Sequence, residues 1–463
     1  MSLMVSISGI RGVVGETLTP EVVVNYAAAF GEYCKRHTLK SARTPEVIVG
    51  RDGRITGKVI TNLVSSTLLS TGVNVRALGV CPTPTVALAV EKLNAAGGIS
   101  ITASHNPLEW NGLKFFAPSG LFLNADENKK VWAIADAKDA RFATWQQFGE
   151  HQLDDTWIRK HIDAVLSLPY LRLDVVRRRK LKVVVDAVNA AGGVIVPMLL
   201  KEMGCDVVEM NCDVSGVFAH TPEPLPENLG DLCRRVTAEG ADLGIAVDPD
   251  VDRLVLITER GEPYGEEYTI ATAVRFVLDR ERQMGRTPQA PVVINLSTTR
   301  AVEDIAAAYG VSVVRTPVGE INVATKMREV GALVGGEGSG GVILPAVHTG
   351  RDAVVGIALL LQMLAEFDGT LSALKARLPQ YHIAKDRVVL PSPDLALQQV
   401  LTELPSSARI NTDDGIRIDF PDSWVHLRKS NTEPLVRVIA EAPTKEQAVE
   451  LATTFRRQLV STR

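Results

Sequence analysis

The feature that most constrains this chain is a repeated alternation of short β-branched runs with segments of helical spacing. Between Val47 and Asn94 the run PEVIVG is followed by a polar turn, GRDGR, and then by ITNLVSSTLLSTG, whose apolar residues recur at helical intervals. VNVRALG reads as a second strand, PTPTVALAVEKL as a helix entered through two prolines, and GGISITASHNP as a third strand ending in a polar loop. The alternation resumes with KVVVDA, a helix to Met203, CDVVEM, a Pro-rich loop at Thr221–Pro226, a helix near Leu229–Glu239 and the strand ADLGIAV. It resumes again with a helix over Glu267–Arg282, the strand PVVINL, the helix TRAVEDIAAAYG, the strand and loop VSVVRTPVG, a helix over Glu320–Val330, and ALVGGEGSGGVILP. Such alternation predicts mixed, largely parallel sheets covered by helices.

The C-terminal stretch changes style. DRVVL, RINTDDGIRIDF, WVHLRKS and LVRVIAEA read as strands, Asp413–Gly415 as a hairpin turn, and PTKEQAVELATTFRRQLV as a closing amphipathic helix. This predicts an antiparallel α+β domain after a linker near Leu378–Lys385. At roughly 100–200 residues per domain, 463 residues make three or four domains.

Lys plus Arg number 50 and Asp plus Glu 54, a net charge of -4, which argues against binding nucleic acid through bulk positive charge. The basic run Arg177–Lys180 reads as a solvated approach to the next strand. The odd count of five cysteines, irregularly spaced, fits a reducing, cytoplasmic location without a disulfide framework. No uncharged apolar run reaches the ~20 residues that span a bilayer. The longest, Ala353–Ala365, reads as a buried helix. No leader segment is expected from the opening residues.

Four segments carry chemistry. In ITASHNP, Ser104 and His105 sit at a strand end, where the serine is either a nucleophile or phosphoryl carrier, or simply part of a turn. In AVDPDVDRL, Asp248, Asp250 and Asp252 lie at alternate positions after an apolar strand, so their side chains can converge. An oxygen-only set suits a hard cation such as Mg²⁺, with Arg253 adding a donor for a phosphate oxygen, or else the run is a solvated acidic turn. An EF-hand is excluded, because the Gly at the sixth loop position and the Glu at the twelfth are missing. In GGEGSGG, Glu337 and Ser339 offer an acceptor and a donor/acceptor for sugar hydroxyls, or else the string is a Gly-rich hairpin between two strands; it is not a P-loop. In RKSNTEP, Arg428 to Pro434, with Arg437 beyond, several donors suit a phosphate dianion, or else form a polar turn. GIRG at Gly9–Gly12 and GRDGR at Gly50–Arg54 add arginines that, taken alone, would more often lie at the surface.

Taken together, TASHNP, DPDVDR, the sugar loop and SNTEP resemble the α-D-phosphohexomutase family, whose members include phosphoglucomutase/phosphomannomutase and phosphoglucosamine mutase. The motifs occur in family order over essentially the whole chain. The resemblance implies a heart-shaped, four-domain protein: α/β domains over 1–150 with the phosphoserine loop, 151–257 with the metal-binding loop and 258–375 with the sugar loop, then an α+β domain over 376–463 with the phosphate loop. It implies that Ser104 is the phosphoserine and that Asp248, Asp250 and Asp252 bind Mg²⁺ together with its phosphate. Arg253 would contact the phosphoryl group, with Arg11, His105 and Lys114 (from NGLK) flanking the transfer. Glu337 and Ser339, with Thr316 and Gly319 of the TPVG loop, would face the sugar, and Arg428, Ser430, Asn431, Thr432 and Arg437 would hold the other phosphate.

The implied reaction interconverts hexose 6- and 1-phosphates through a hexose 1,6-bisphosphate, the activator and intermediate. The implied partner is a phosphorylated hexose or hexosamine, with neither nucleic acid nor membrane, and the protein a monomer or homodimer. Glucosamine phosphate is the expected substrate, since acidic Glu337 would sit near a cationic C2 amine; a phosphoglucomutase/phosphomannomutase is the alternative. Several bacterial members carry Gly-His where this chain has Gly340-Gly341, so Lys114 or Arg11, or the nearby His348, would take over the missing imidazole's part. Two other classes remain distinguishable. A haloacid-dehalogenase-like phosphatase would phosphorylate Asp248 rather than Ser104, and a sugar-phosphate-binding regulator would bind without turnover.

Overall fold

A computed structural model describes residues 3–38, 44–403, 409–429 and 435–461. The chain divides into two compact units, one of Met1–Thr269 with Gly340–Leu374, the other of Ile270–Ser339 with Lys375–Arg463.

The first unit contains two sheets. In the larger, seven strands run in the order Met4–Ser6, Gly9–Val13, Trp110–Phe116, Gly97–Ile101, Glu46–Arg51, Asn74–Val80, His151–Leu153. The centre is parallel, as the strand–helix alternation requires: Glu46–Arg51 pairs in parallel with both Asn74–Val80 and Gly97–Ile101. Trp110–Phe116 then returns antiparallel to Gly97–Ile101, placing Lys114 opposite Ser100. Gly9–Val13 pairs with the other edge of that return strand, with Arg11 opposite Gly112. Ile48, Val49, Ile99, Ile101, Leu113 and Phe115 are buried beneath helices Pro20–Thr38, Gly57–Ser70 and Thr83–Leu93. The second sheet has the order Leu254–Thr258, Leu243–Val247, Lys182–Asp186, Asp206–Met210, and only its first pair is antiparallel. The hairpin of Gly341–Leu344 and His348–Arg351 also lies in this unit. It leads into helix Ala353–Glu366, which is buried along almost its full length, as its apolar run requires. Asp352 caps that helix by accepting from the backbone of Val354 and Val355.

In the second unit, Val292–Asn295 pairs in parallel with Val313–Thr316 and with Gly335–Glu337. The C-terminal sheet is antiparallel throughout, in the order His382–Val389, Leu435–Ala442, Trp424–Lys429, Ile416–Asp419, Arg409–Asn411. Ala452, Phe455 and Leu459 of helix Lys445–Ser461 pack into the same core as Val425, Val436 and Val438. Mixed α/β layers followed by an antiparallel α+β domain are the expected fold class. The hairpin turn at Asp413–Gly415 also stands, between Arg409–Asn411 and Ile416–Asp419.

The expected linker at Leu378–Lys385 needs correction. Strand His382–Val389 begins inside it, because every residue from His382 to Val389 has a ladder partner on Leu435–Ala442. The basic run is a solvated one: Arg177, Arg178 and Arg179 close helix Leu173–Arg179 and are exposed.

Candidate active site

The Ser104 loop is built from below by a residue expected at the surface. Arg54 is fully buried. Its Nη2 donates to the carbonyls of Ser104 (2.5 Å) and Asn106 (2.7 Å), and its Nη1 to those of Pro107 (2.7 Å) and Trp110 (3.0 Å). Asp52 holds the guanidinium at Nε (3.0 Å) and also accepts from Thr102 Oγ1, which in turn accepts from the Ser104 amide at 2.8 Å. This frame keeps Ser104 in the left-handed region, at φ 49°. A non-glycine residue there is uncommon, and such strain persists only where the surroundings impose it.

The carboxylate loop is strained as well, with Val251 at φ 61°. The turn is closed by Asp248: its carbonyl accepts from Val251 N, and its Oδ1 from the amides of Asp252 and Arg253. Asp248 Oδ2 then accepts from the Ser104 hydroxyl at 3.0 Å. His105 Nδ1 lies 3.2 Å from the same hydroxyl.

All three aspartates are buried, and an oxygen from each lies within 4.8 Å of the others. Among the described residues, the Oδ1 atoms of Asp250 and Asp252 have no hydrogen-bond partner. Orphaned buried carboxylate oxygens are costly, and an oxygen-only donor set beside a phosphoryl carrier fits Mg²⁺. Lys114 Nζ offsets part of the charge, at 2.6 Å from Asp250 Oδ2 and 3.4 Å from Asp252 Oδ2.

The electrostatics follow from this crowding. Burial and the neighbouring Asp252 and Asp250 push the Asp248 carboxyl well above the usual carboxylate range. Burial would raise Asp250 too, but Lys114 holds it low. Burial opposes the charge on Lys114, and the two aspartates outweigh it and raise its pKa. His105 is pushed down to about 2 by burial, then by Arg253 and Arg11, so it is neutral at physiological pH.

Arg11 Nη1 donates to Asn106 Oδ1 at 3.3 Å, and Arg253 Nη1 lies 3.6 Å from Glu223 Oε1. The structure therefore brings Ser104, His105, Lys114, Arg253 and the three aspartates into one direct network, with Arg11 tied to the same loop through Asn106. It adds residues that no local motif marked. Thr83 Oγ1 donates to Asp250 (2.7 Å), Arg351 pairs with Asp252 (2.7 Å), and Glu223 lies 3.7 Å from His105 and faces Arg253. The Nε2 atoms of His348 and His161 both bond Asp352, at 3.0 and 2.7 Å.

The second unit assembles the other expected loops. Buried Glu337 accepts through Oε1 from Asn295 Nδ2 (2.9 Å) and from the Gly319 amide (3.0 Å). Gly319, at φ 124°, takes a conformation that side chains rarely adopt and opens helix Glu320–Val330. Asp414 ties two loops together, accepting from the Val318 amide and holding Arg428 Nε at 2.8 Å. Thr316 is buried and Ser339 half-buried. Arg428 and Arg437 are directly opposite on adjacent strands, and Arg387 is opposite Arg437 on its other side. Like charges directly opposite one another are unfavourable, and in this row Asp414 offsets the charge of Arg428. Ser430, Asn431 and Thr432 lie outside the described residues.

Three α/β layers, an antiparallel α+β domain and a buried acidic loop facing a strained serine define the class, a multidomain α/β enzyme. The chain belongs to the phosphoglucomutase/phosphomannomutase family. Models of that family's α/β/α domains I, II and III and of its C-terminal domain match residues 4–142, 159–261, 266–381 and 386–458. A probable phosphoglucosamine mutase of Methanopyrus kandleri is 36% identical over 97% of this chain and 96% of its own length. A phosphoglucomutase/phosphomannomutase of Thermococcus kodakarensis is 37% identical over 96% and 95%. The crystal structure of a phosphoglucomutase/phosphomannomutase family protein from Burkholderia thailandensis aligns with TM-score 0.84 at 28% identity, covering 99% of this chain and 98% of that one. Among the described residues no helix is long and apolar enough to cross a membrane.

Proposed function

We propose that the protein is a phosphohexomutase that interconverts hexose 6- and 1-phosphates, with Ser104 as the phosphoryl carrier. The observation that carries this reading is the Ser104 hydroxyl, 3.0 Å from Asp248 Oδ2 at the edge of a buried carboxylate trio. Asp248, Asp250 and Asp252 would hold Mg²⁺ together with a Ser104 phosphate oxygen. When bound, the ion would supply positive charge against the −1.5 to −2 or so of the phosphoserine.

In the first half-reaction a sugar hydroxyl attacks phosphorus. The sugar O–P bond forms, the Ser104 Oγ–P bond breaks, and Oγ takes up a proton as the hydroxyl gives one up. The product is a hexose 1,6-bisphosphate and free Ser104. After the bisphosphate turns around, Ser104 Oγ attacks its other phosphate: the Oγ–P bond forms, the sugar O–P bond breaks, and the departing sugar oxygen takes up a proton as Oγ gives one up. Arg253, Arg11 and Lys114 stabilise the charge on the equatorial oxygens. Neutral His105 presents Nδ1 to the carrier oxygen. Glu337, Ser339, Thr316 and Gly319 face the sugar, and Arg428 and Arg437, with Ser430, Asn431 and Thr432, hold the phosphate that does not react.

Glucosamine phosphate is the proposed substrate. Glu337 places a buried carboxylate, fixed by Asn295 and Gly319, in the loop that would face a C2 amine. The phosphoglucomutase/phosphomannomutase reading is the second, favoured by the name of the Thermococcus relative. The test is kcat/KM for glucosamine 6-phosphate, glucose 1-phosphate and mannose 1-phosphate in one buffer with a bisphosphate activator. A neutral sugar ahead by roughly tenfold or more would reverse the substrate choice and leave the mutase reading standing.

A further inference from the structure

Gly341 has no room for a side chain, and what takes the room is Arg351. A Cβ built on Gly341 would fall 2.3 Å from Arg351 Cδ and 2.9 Å from its Cγ. The two residues belong to the two strands of one hairpin, in which Arg351 pairs with Ile343 beside a register shift. The main chain on the far side of Arg351 is fixed, because Asp352 is buried, caps the following helix and accepts from both His161 and His348. From this anchored position the arginine stem crosses over Gly341, and Nη2 reaches Asp252 Oδ2 at 2.7 Å. Lys114 approaches the same oxygen at 3.4 Å, while Asp252 Oδ1 has no hydrogen-bond partner among the described residues.

We propose that Arg351 is a positioning residue of the phosphoryl-transfer site. It fixes Asp252 by one oxygen so that the other is presented to the cation, and Gly341 is glycine because the guanidinium must pass over it. This rests on the reading of Asp252 as a cation ligand. The two positions form one device: a methyl group at 341 and the arginine stem at 351 cannot share the space, so adding the first has the effect of removing the second.

The test is a double-mutant cycle on the full chain, stripped with chelator and titrated with Mg²⁺ by calorimetry, with kcat and KM measured at saturating Mg²⁺. Partners that orient a ligand are typically worth about 10- to 100-fold in metal affinity or activity. Arg351→Ala and Gly341→Ala should therefore each weaken Mg²⁺ by roughly tenfold or more and lower kcat, with KM nearly unchanged. The double variant should be no worse than either single one, and Arg351→Lys should recover part of the loss. Circular dichroism and thermal midpoints identify any variant that fails to fold, and Arg351→Lys then carries the comparison. Mg²⁺ affinity within about twofold of wild type in Arg351→Ala, or losses that add in the double variant, would overturn the inference. The calorimetric cycle does not depend on Ser104: an inactive wild type would count against the mutase reading, and additive Mg²⁺ losses would count against this one.

Discussion

Arg54 Nη2 donates to the carbonyl of Ser104 at 2.5 Å, from a side chain with no exposure to solvent. The proposed carrier's backbone is thus held by a guanidinium fifty residues away whose own charge is matched by Asp52.

Removing that guanidinium leaves a buried carboxylate unpaired and several loop carbonyls without donors. Breaking one partner of a buried pair costs about 3–5 kcal/mol. Arg54→Met should lower unfolding stability by about that amount in denaturant melts and abolish turnover. A loss below about 1 kcal/mol with normal activity would contradict the anchoring role.

The orphaned oxygens of Asp250 and Asp252 predict a metal requirement. Exhaustive chelation should abolish activity, and Mg²⁺ should restore it. Asp250→Asn should weaken Mg²⁺ binding and phosphoryl transfer together, since it removes a negative ligand and a partner of Lys114. Full activity after chelation, or unchanged Mg²⁺ affinity in the variant, would count against the site.

The cross-strand pair Arg428–Arg437 predicts that one phosphate site serves both substrate orientations. Arg428→Ala and Arg437→Ala should weaken a hexose 1-phosphate and the matching 6-phosphate alike. The expected loss is about 1.5–3 kcal/mol, or roughly ten- to more than a hundredfold in affinity. An effect confined to one isomer would show that the site is not shared.

His426 predicts a pH dependence of stability. Its Nδ1 lies 2.8 Å from the Ser297 hydroxyl and its Nε2 2.6 Å from the Asp414 carbonyl, and burial pushes its pKa down to about 4 from 6.5. With the folded pKa depressed, the unfolded chain binds the extra proton first. The stabilisation is full above the unfolded value and is lost as pH falls from about 6.5 towards about 4, by at most on the order of 3 kcal/mol. His426→Gln should show a smaller drop in denaturation midpoint between these pH values. An equal drop in both proteins would remove His426 as the cause.

The strand–helix alternation and the local strings were readable because each is contiguous: ITASHNP and AVDPDVDRL each bring their chemistry to one turn. What could not be read depends on pairing at long range. Thr83 reaches Asp250 across 167 residues, and Arg351 reaches Asp252 across 99. Arg54 in GRDGR gives no sign of being buried, because its burial is decided by carbonyls of a loop after the next strands. The linker near Leu378–Lys385 gives way to strand from His382 for the same reason, its ladder partner being Leu435–Ala442.

The central claim is that Ser104 carries the phosphoryl group. Intact-mass analysis of the protein, after exposure to hexose 1,6-bisphosphate and Mg²⁺, tests it together with turnover. One added phosphate, located on Ser104 by peptide mapping and absent from a folded, inactive Ser104→Ala variant, is the predicted result. Phosphate on Asp248, or wild-type-like mutase activity in Ser104→Ala, would contradict it.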